Sequence, residues 1–267
     1  MATNNLLVKA AADKLCKAFG IRLVTNSAVV QLAQNGGFDA LFIDLEHSSL
    51  SIDDAGRHCA AGLQLGITPF VRVPHHCGNG FVQRVLDGGA MGVVFPHIHD
   101  SDDAKAAVAI SKYSPLGIRS MTGQLPLFNL RPTPVGTIVF ETNATGSSVI
   151  LMIETRRSVE QVDSIAAVDG VDVLLIGSND LTIELGEPGD FASAKYRGAL
   201  EAVSAACRKH GKIFGLAGVY DSPEIQAWGF RELGARFILG QQDSGLLASG
   251  TKGCVAAVDA VEARRAN

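Results

Sequence analysis

The 267-residue chain is most informative at first through what is missing from it. No uninterrupted apolar run reaches about 18 residues, the length that argues for a membrane-spanning helix. The first twenty residues mix Lys9, Asp13, Lys14 and Lys17 with apolar positions at helical spacing, so they lack the apolar heart of a secretory signal and predict an amphipathic leading helix. The five cysteines are odd in number and form no C-x-x-C pair, which argues against both a disulfide framework and a cysteine zinc site. Reduced thiols in a soluble, cytoplasmic protein are expected. Lysine and arginine are scattered, and the formal net charge is -4, so no basic field is offered to a nucleic acid backbone. Neither an internal repeat nor a linker interrupts the chain, and residues 1–267 are expected to form one domain.

What is present is a rhythm. Short apolar runs at 22–25, 40–46, 68–74, 92–96, 148–154, 171–177, 212–218 and 237–241 alternate with stretches of helical periodicity, the pattern of parallel strands joined by crossover helices. Eight such units after a leading helix predict a closed (β/α)8 TIM barrel, a fold of roughly 250 residues. An open doubly wound sheet is the rival, but it requires a phosphate-binding glycine fingerprint after its first strand, and Val24-Thr25-Asn26-Ser27 stands there. The irregular connection 114–147, broken by Pro115, Pro126, Pro132 and Pro134 and carrying Arg119 and Arg131, is expected to shape selectivity or a subunit interface.

In such a barrel the active site gathers at the C-terminal strand ends. Glu154 and Asp180 end the fifth and sixth runs, and two hard carboxylates on neighbouring strands can hold Mg²⁺, Mn²⁺ or Co²⁺ with water and substrate oxygens completing the shell. The alternative is that each caps the helix that follows. Arg72 ends an apolar strand, where it can bind a carboxylate or an enolate oxygen, or else form a structural ion pair with Asp44 or Glu46. His47 at the next rim is a candidate general base or a structural histidine. His97 and His99, or His75 and His76, offer a rival imidazole metal site. A Schiff-base lysine is disfavoured because Lys212 begins its strand rather than ending it.

At these residues the sequence resembles the HpcH/HpaI aldolase family, the metal-dependent pyruvate aldolases. The resemblance rests on Gly37 to His47 (GFDALFIDLEH), Val71-Arg72-Val73-Pro74, Leu86-Asp87-Gly88-Gly89-Ala90, Pro115 to Arg119, Ile153-Glu154-Thr155 and Gly177 to Leu181 (GSNDL), in this order over most of the chain. It implies cleavage or formation of a carbon–carbon bond of a 4-hydroxy-2-oxo acid through a pyruvate enolate, with an aldehyde as partner product. It further implies a divalent ion on Glu154 and Asp180, enolate stabilisation by Arg72, and proton transfer by His47. Asp87 would orient His47 across a subunit boundary, and the amides of Ser178 and Asn179 would hold the pyruvate carboxylate. A homohexamer with a swapped C-terminal helix goes with the family. Oxaloacetate decarboxylation and macrophomate-synthase-like chemistry pass through the same enolate and are the alternatives. The chain departs from the family pattern at Leu45, His97, Met152 and the Ser178-Asn179 pair, changes that bear on the acceptor rather than on the enolate machinery.

Overall fold

The computed structural model describes residues 1–265. Eight parallel strands, β1 (Cys16–Ile21), β2 (Ala40–Asp44), β3 (Thr68–Arg72), β4 (Gly92–Phe95), β5 (Ser148–Ile153), β6 (Val173–Gly177), β7 (Ile213–Ala217) and β8 (Phe237–Gln242), pair in chain order, and β8 returns to β1 to close the barrel. The helices are α1 (Asn5–Ala11), α2 (Ala28–Asn35), α3 (Ile52–Leu65), α4 (Asn79–Asp87), α5 (Ser101–Ser111), α6 (Val135–Glu141), α7 (Arg156–Glu160), α8 (Val162–Ala166), α9 (Ser178–Glu184), α10 (Ala194–His210), α11 (Pro223–Arg231) and α12 (Asp243–Arg265). Among the described residues no helix is long and apolar enough to cross a membrane.

Local signals set the boundaries. Ser51 caps α3 in a reciprocal capping box with Asp54, and Gly66 ends it in the left-handed region at φ 73°. Ser193 caps α10, which finishes on Arg208, Lys209 and His210 against the negative end of its dipole. Apolar side chains on alternate strand positions fill two layers. Ala18, Phe42, Phe70, Val94, Ile150, Leu175 and Phe237 pack inside the barrel, with the Phe70 and Phe237 rings edge to face at 5.7 Å. Ile43, Val71, Val93, Leu151, Leu174 and Leu216 face the helices. Helix α1 closes the floor: Leu6 is fully buried among the interior residues, and the backbone N–H of Asn5 donates to Thr68 Oγ1 at 2.8 Å.

Two expectations are corrected. The first strand is Cys16–Ile21, not 22–25, and the leading helix is only Asn5–Ala11. Lys17 and Gly20 disguise this strand, and the barrel explains both. Lys17 is exposed at the floor, and a Cβ on Gly20 would lie 2.7 Å from Gln242 Cγ, where β1 and β8 shift register to close the cylinder. Arg22 therefore leaves the strand at the mouth. The connection 114–147 joins the end of α5 to the start of β5, so it runs beneath the barrel, and none of its residues lines the cavity at the mouth. Its expected part in selectivity does not hold within the chain.

Helix α12 does not cover its own barrel. Every residue from Leu246 to Arg264 is exposed, including Val255, Val258 and Val261. It leaves an apolar groove of about 720 Å³, lined by Phe19, Val24, Val29, Leu32 and Phe38 with Leu246 and Leu247 at its edge.

Candidate active site

The site starts with Asp44, the last residue of β2, buried with 1% exposure. Its carboxylate accepts N–H groups of Glu46 at 3.0 Å and His47 at 3.2 Å, and the Ser48 hydroxyl donates to its carbonyl, so the chain turns sharply at the strand end. Arg72, one strand away in register, grips the same carboxylate with two bonds: Nε to Oδ1 at 2.9 Å and Nη2 to Oδ2 at 2.6 Å. Burial by itself raises the Asp44 pKa, but hydrogen bonds and charge from Arg72 outweigh it and hold the carboxyl below its ordinary value. Arg72 Nη1 lies 3.2 Å from Glu46 Oε2 and reaches toward Met152 Sδ at 3.8 Å. The structural ion pair set against substrate binding thus exists, and Arg72 lines the mouth cavity as well.

Glu154, just past β5, has 1% exposure. It lies directly over β6, where a Cβ on Gly177 would meet Glu154 Oε2 at 2.4 Å, so glycine is required for the carboxylate to sit there. His97, held in the left-handed region at φ 54°, turns its backbone N–H onto Glu154 Oε1 at 2.6 Å. The imidazole bridges two acids, with Nδ1 3.4 Å from Glu154 and Nε2 3.2 Å from Glu46. Desolvation raises the Glu154 pKa, Asp180 and Glu46 push it further, and the His97 contacts oppose them.

Neither acid is a helix cap. Thr155 caps α7 in a box with Ser158, and α9 has no side-chain cap although Asp180 stands in its first turn. Asp180 and Asn179 are exposed at the mouth, whereas the Ser178 hydroxyl is buried and accepts from Tyr196 Oη at 2.7 Å. Ser178 is left with its backbone to offer. The first N–H groups of α9 have no partner within the helix and point out of its N-terminus, at the mouth. His47, its side chain 57% exposed, stands at the rim with Nε2 3.7 Å from Glu46.

Asp87 is not brought to this group within one chain. It is the last residue of α4, near the floor, and accepts from Arg119 Nη2 at 2.8 Å. The rival imidazole site does not assemble either: the His99 ring turns to Thr155 Oγ1 at 3.4 Å, and His75 and His76 lie against each other with ring centroids 3.6 Å apart. Lys212 Nζ serves the carbonyls of Val168 and Val171 at the floor. Glu46, expected only as an alternative ion-pair partner of Arg72, and His97, expected only in the rival imidazole site, are central residues to which sequence reasoning gave no part in the acidic cluster around Glu154.

The cavity at the mouth, about 200 Å³, is lined by Arg22, His47, Arg72, Met152, Asp180 and Tyr220 among others. Among the described residues no three Asp, Glu, His or Cys side chains form a ready ion cage. The fit to a cation lies in charge. Glu46, Glu154 and Asp180 meet here, while Arg72, lying among them, is already bound to Asp44. A hard divalent ion would offset the desolvation that chiefly raises the Glu154 pKa and the repulsion from Asp180 and Glu46 that adds to it, and two carboxylates leave coordination positions for water and substrate.

The HpcH/HpaI aldolase/citrate lyase family model matches residues 23–249. The 4-hydroxy-4-methyl-2-oxoglutarate aldolase of Hapsidospora irregularis is 57% identical over 262 residues, 98% of this chain and 97% of that one. That of Chaetomium globosum is 56% identical with the same coverage. The crystal structure of an HpcH/HpaI aldolase from Desulfitobacterium hafniense superimposes with a TM-score of 0.89 at 28% identity, covering 96% of this chain and 97% of that one. With this match, and the site at the mouth of a closed eight-strand barrel, the chain belongs to the HpcH/HpaI aldolase/citrate lyase family.

Proposed function

We propose that this carbon–carbon lyase cleaves a 4-hydroxy-2-oxo acid between C3 and C4 with the help of a divalent ion, releasing pyruvate and a second carbonyl compound. The observation that carries the reading is Glu154, desolvated over Gly177 and close to Asp180, with Gly177, Asp180 and Arg72 all lining the mouth cavity. The names of the relatives from Hapsidospora irregularis and Chaetomium globosum make 4-hydroxy-4-methyl-2-oxoglutarate the substrate of first choice, and its cleavage yields two molecules of pyruvate.

Cleavage removes the proton of the 4-hydroxyl, breaks C3–C4, and places the electron pair in the C2–C3 enolate, which is then protonated at C3. His47 at the rim accepts the hydroxyl proton. Arg72, held rigid by Asp44, directs its charge at the enolate oxygen, where preorganised electrostatics contributes most. The backbone amides of Ser178 and Asn179 hold the C1 carboxylate. Glu154 and Asp180 would hold Mg²⁺, Mn²⁺ or Co²⁺, which when bound would supply Lewis-acid polarisation of the 2-oxo group. Asp87 acts across a subunit boundary to orient His47, in a homohexamer whose α12 helices cross to the exposed grooves of neighbouring copies. A cytoplasmic setting fits this small-molecule chemistry.

Pyruvate release from 4-hydroxy-4-methyl-2-oxoglutarate, followed by coupling to lactate dehydrogenase, tests the reading. Activity should vanish after exhaustive EDTA treatment and return with Mn²⁺ or Mg²⁺, and Glu154→Gln should lose at least about 100-fold, several kcal/mol of transition-state stabilisation. Undiminished activity in EDTA would overturn it.

A further inference from the structure

The mouth holds two guanidinium groups in different states. Arg72 is bound to Asp44 and Glu46. Arg22, the first residue after β1, is half-buried and lines the same cavity, yet among the described residues its only side-chain partner is a neutral one, Gln242 Oε1 at 3.3 Å. Among the described residues no carboxylate lies within 4 Å of its guanidinium. Its backbone is fixed: the N–H groups of Arg22, Leu23 and Val24 all donate to the Asp243 carboxylate, itself 2% exposed. Gln242 is fixed too, packed over the missing Cβ of Gly20.

A guanidinium carries five N–H donors in a planar fork, and desolvating it without an anion is costly. Arg22 therefore stands where a ligand anion completes it. The anion cannot be the pyruvate carboxylate, because that end belongs with Glu154 and Asp180 on the β5 and β6 side, whereas Arg22 and Gln242 stand at β1 and β8, across the closed barrel. Tyr220, on the loop after β7, lines the cavity as well, and its hydroxyl has no hydrogen-bond partner among the described residues. The cavity thus carries Asp180 on the β6 side and Arg22 on the β1 side, while Arg72, which also lines it, is already bound to Asp44 and Glu46.

We propose that Arg22, assisted by Gln242 and Tyr220, anchors the second carboxylate of a 2-oxo diacid and sets the enzyme's preference for an acceptor that carries a negative charge. This rests on the aldolase reading above and adds to it the residue that selects the substrate. A bidentate guanidinium–carboxylate pair across a small cavity discriminates strongly against a substrate lacking the carboxylate, since the guanidinium is then left unpaired.

The test compares wild type, Arg22→Met and Arg22→Lys on 4-hydroxy-4-methyl-2-oxoglutarate and on 4-hydroxy-2-oxopentanoate, which lacks the second carboxylate. The ratio of kcat/KM for diacid over monoacid should fall about 30- to 100-fold in Arg22→Met, mainly through KM for the diacid, and Arg22→Lys should recover part of it. Inhibition by oxalate, which fills only the pyruvate end, should be within about threefold of wild type, separating a lost anchor from a collapsed site. An unchanged ratio, or equal losses on the two substrates, would overturn the proposal. If wild type cleaves neither substrate, the aldolase reading fails instead. Calorimetric binding of 2-oxoglutarate against 2-oxopentanoate then decides the anchor by the same ratio: a preference for the diacid lost in Arg22→Met supports it, and no preference in wild type refutes it.

Discussion

At the floor of the barrel Lys112, 3% exposed, donates to the Asn143 carbonyl at 3.0 Å and lies 3.8 Å from Asp172, which accepts the Val149 N–H at 2.8 Å. Beside them Arg119 is wholly buried between Asp87 and the Tyr113 ring. At the mouth, Arg22 has one neutral partner, and Glu154 lies near two other acids, Asp180 and Glu46, whose charge acts on it. Both ends bury charge, but at the floor each buried cation has a carboxylate beside it, Lys112 with Asp172 and Arg119 with Asp87, although Arg119 Nε and Nη1 make no hydrogen bond among the described residues. At the mouth, by contrast, Arg22 has no acid and three acids stand close together. Such incomplete pairing is costly to the apo protein, and a ligand of opposite charge can offset that cost. Apart from Asp87, which the proposed mechanism gives to a neighbouring copy's His47, charge at the floor should govern stability, and charge at the mouth should govern rate.

That contrast can be broken most decisively at Arg72. Arg72→Ala should lower pyruvate release about 10³-fold, and it should lower oxaloacetate decarboxylation equally, because both reactions lose the same positive charge at the same enolate. A loss confined to cleavage would place Arg72 on the acceptor instead. His47→Ala should cost about 10²-fold in cleavage, the lower range for a general base, and less in decarboxylation, which removes no hydroxyl proton. Equal losses would assign His47 to enolate formation. The smallest effect on rate belongs to the floor: Lys112→Met should leave kcat within about twofold while costing about 2 kcal/mol for a charge-assisted bond, a fall of roughly 4–8 °C in melting temperature. Thermal unfolding alongside the coupled assay checks it, and a large kinetic effect without destabilisation would end the division between the two ends.

The barrel itself was legible because parallel strands buried on both faces read as apolar runs, and seven of the eight runs lie on observed strands. The first run failed for a physical reason. Barrel closure demands a glycine at position 20, and a floor edge tolerates Lys17, so β1 carries two residues that look foreign to a strand. That misplacement hid Arg22, which as a strand residue has no evident role and as the residue after β1 lines the mouth. Arg72, Glu154 and Asp180 were readable as polar residues ending apolar runs. The convergence of Glu46 and His97 was not, since their contact spans two strands and depends on the left-handed backbone of His97.

Periodicity and strand-end chemistry, both local properties of the chain, determined by themselves the fold class and which residues would stand at the mouth. Pairing was decided only in three dimensions: that Arg72 belongs to Asp44, that Asp87 meets Arg119 at the opposite end, and that Arg22 is left without an acid. Strand order and register set which side chains come within hydrogen-bonding distance, and a charge acquires its function from the partner it finds or lacks there.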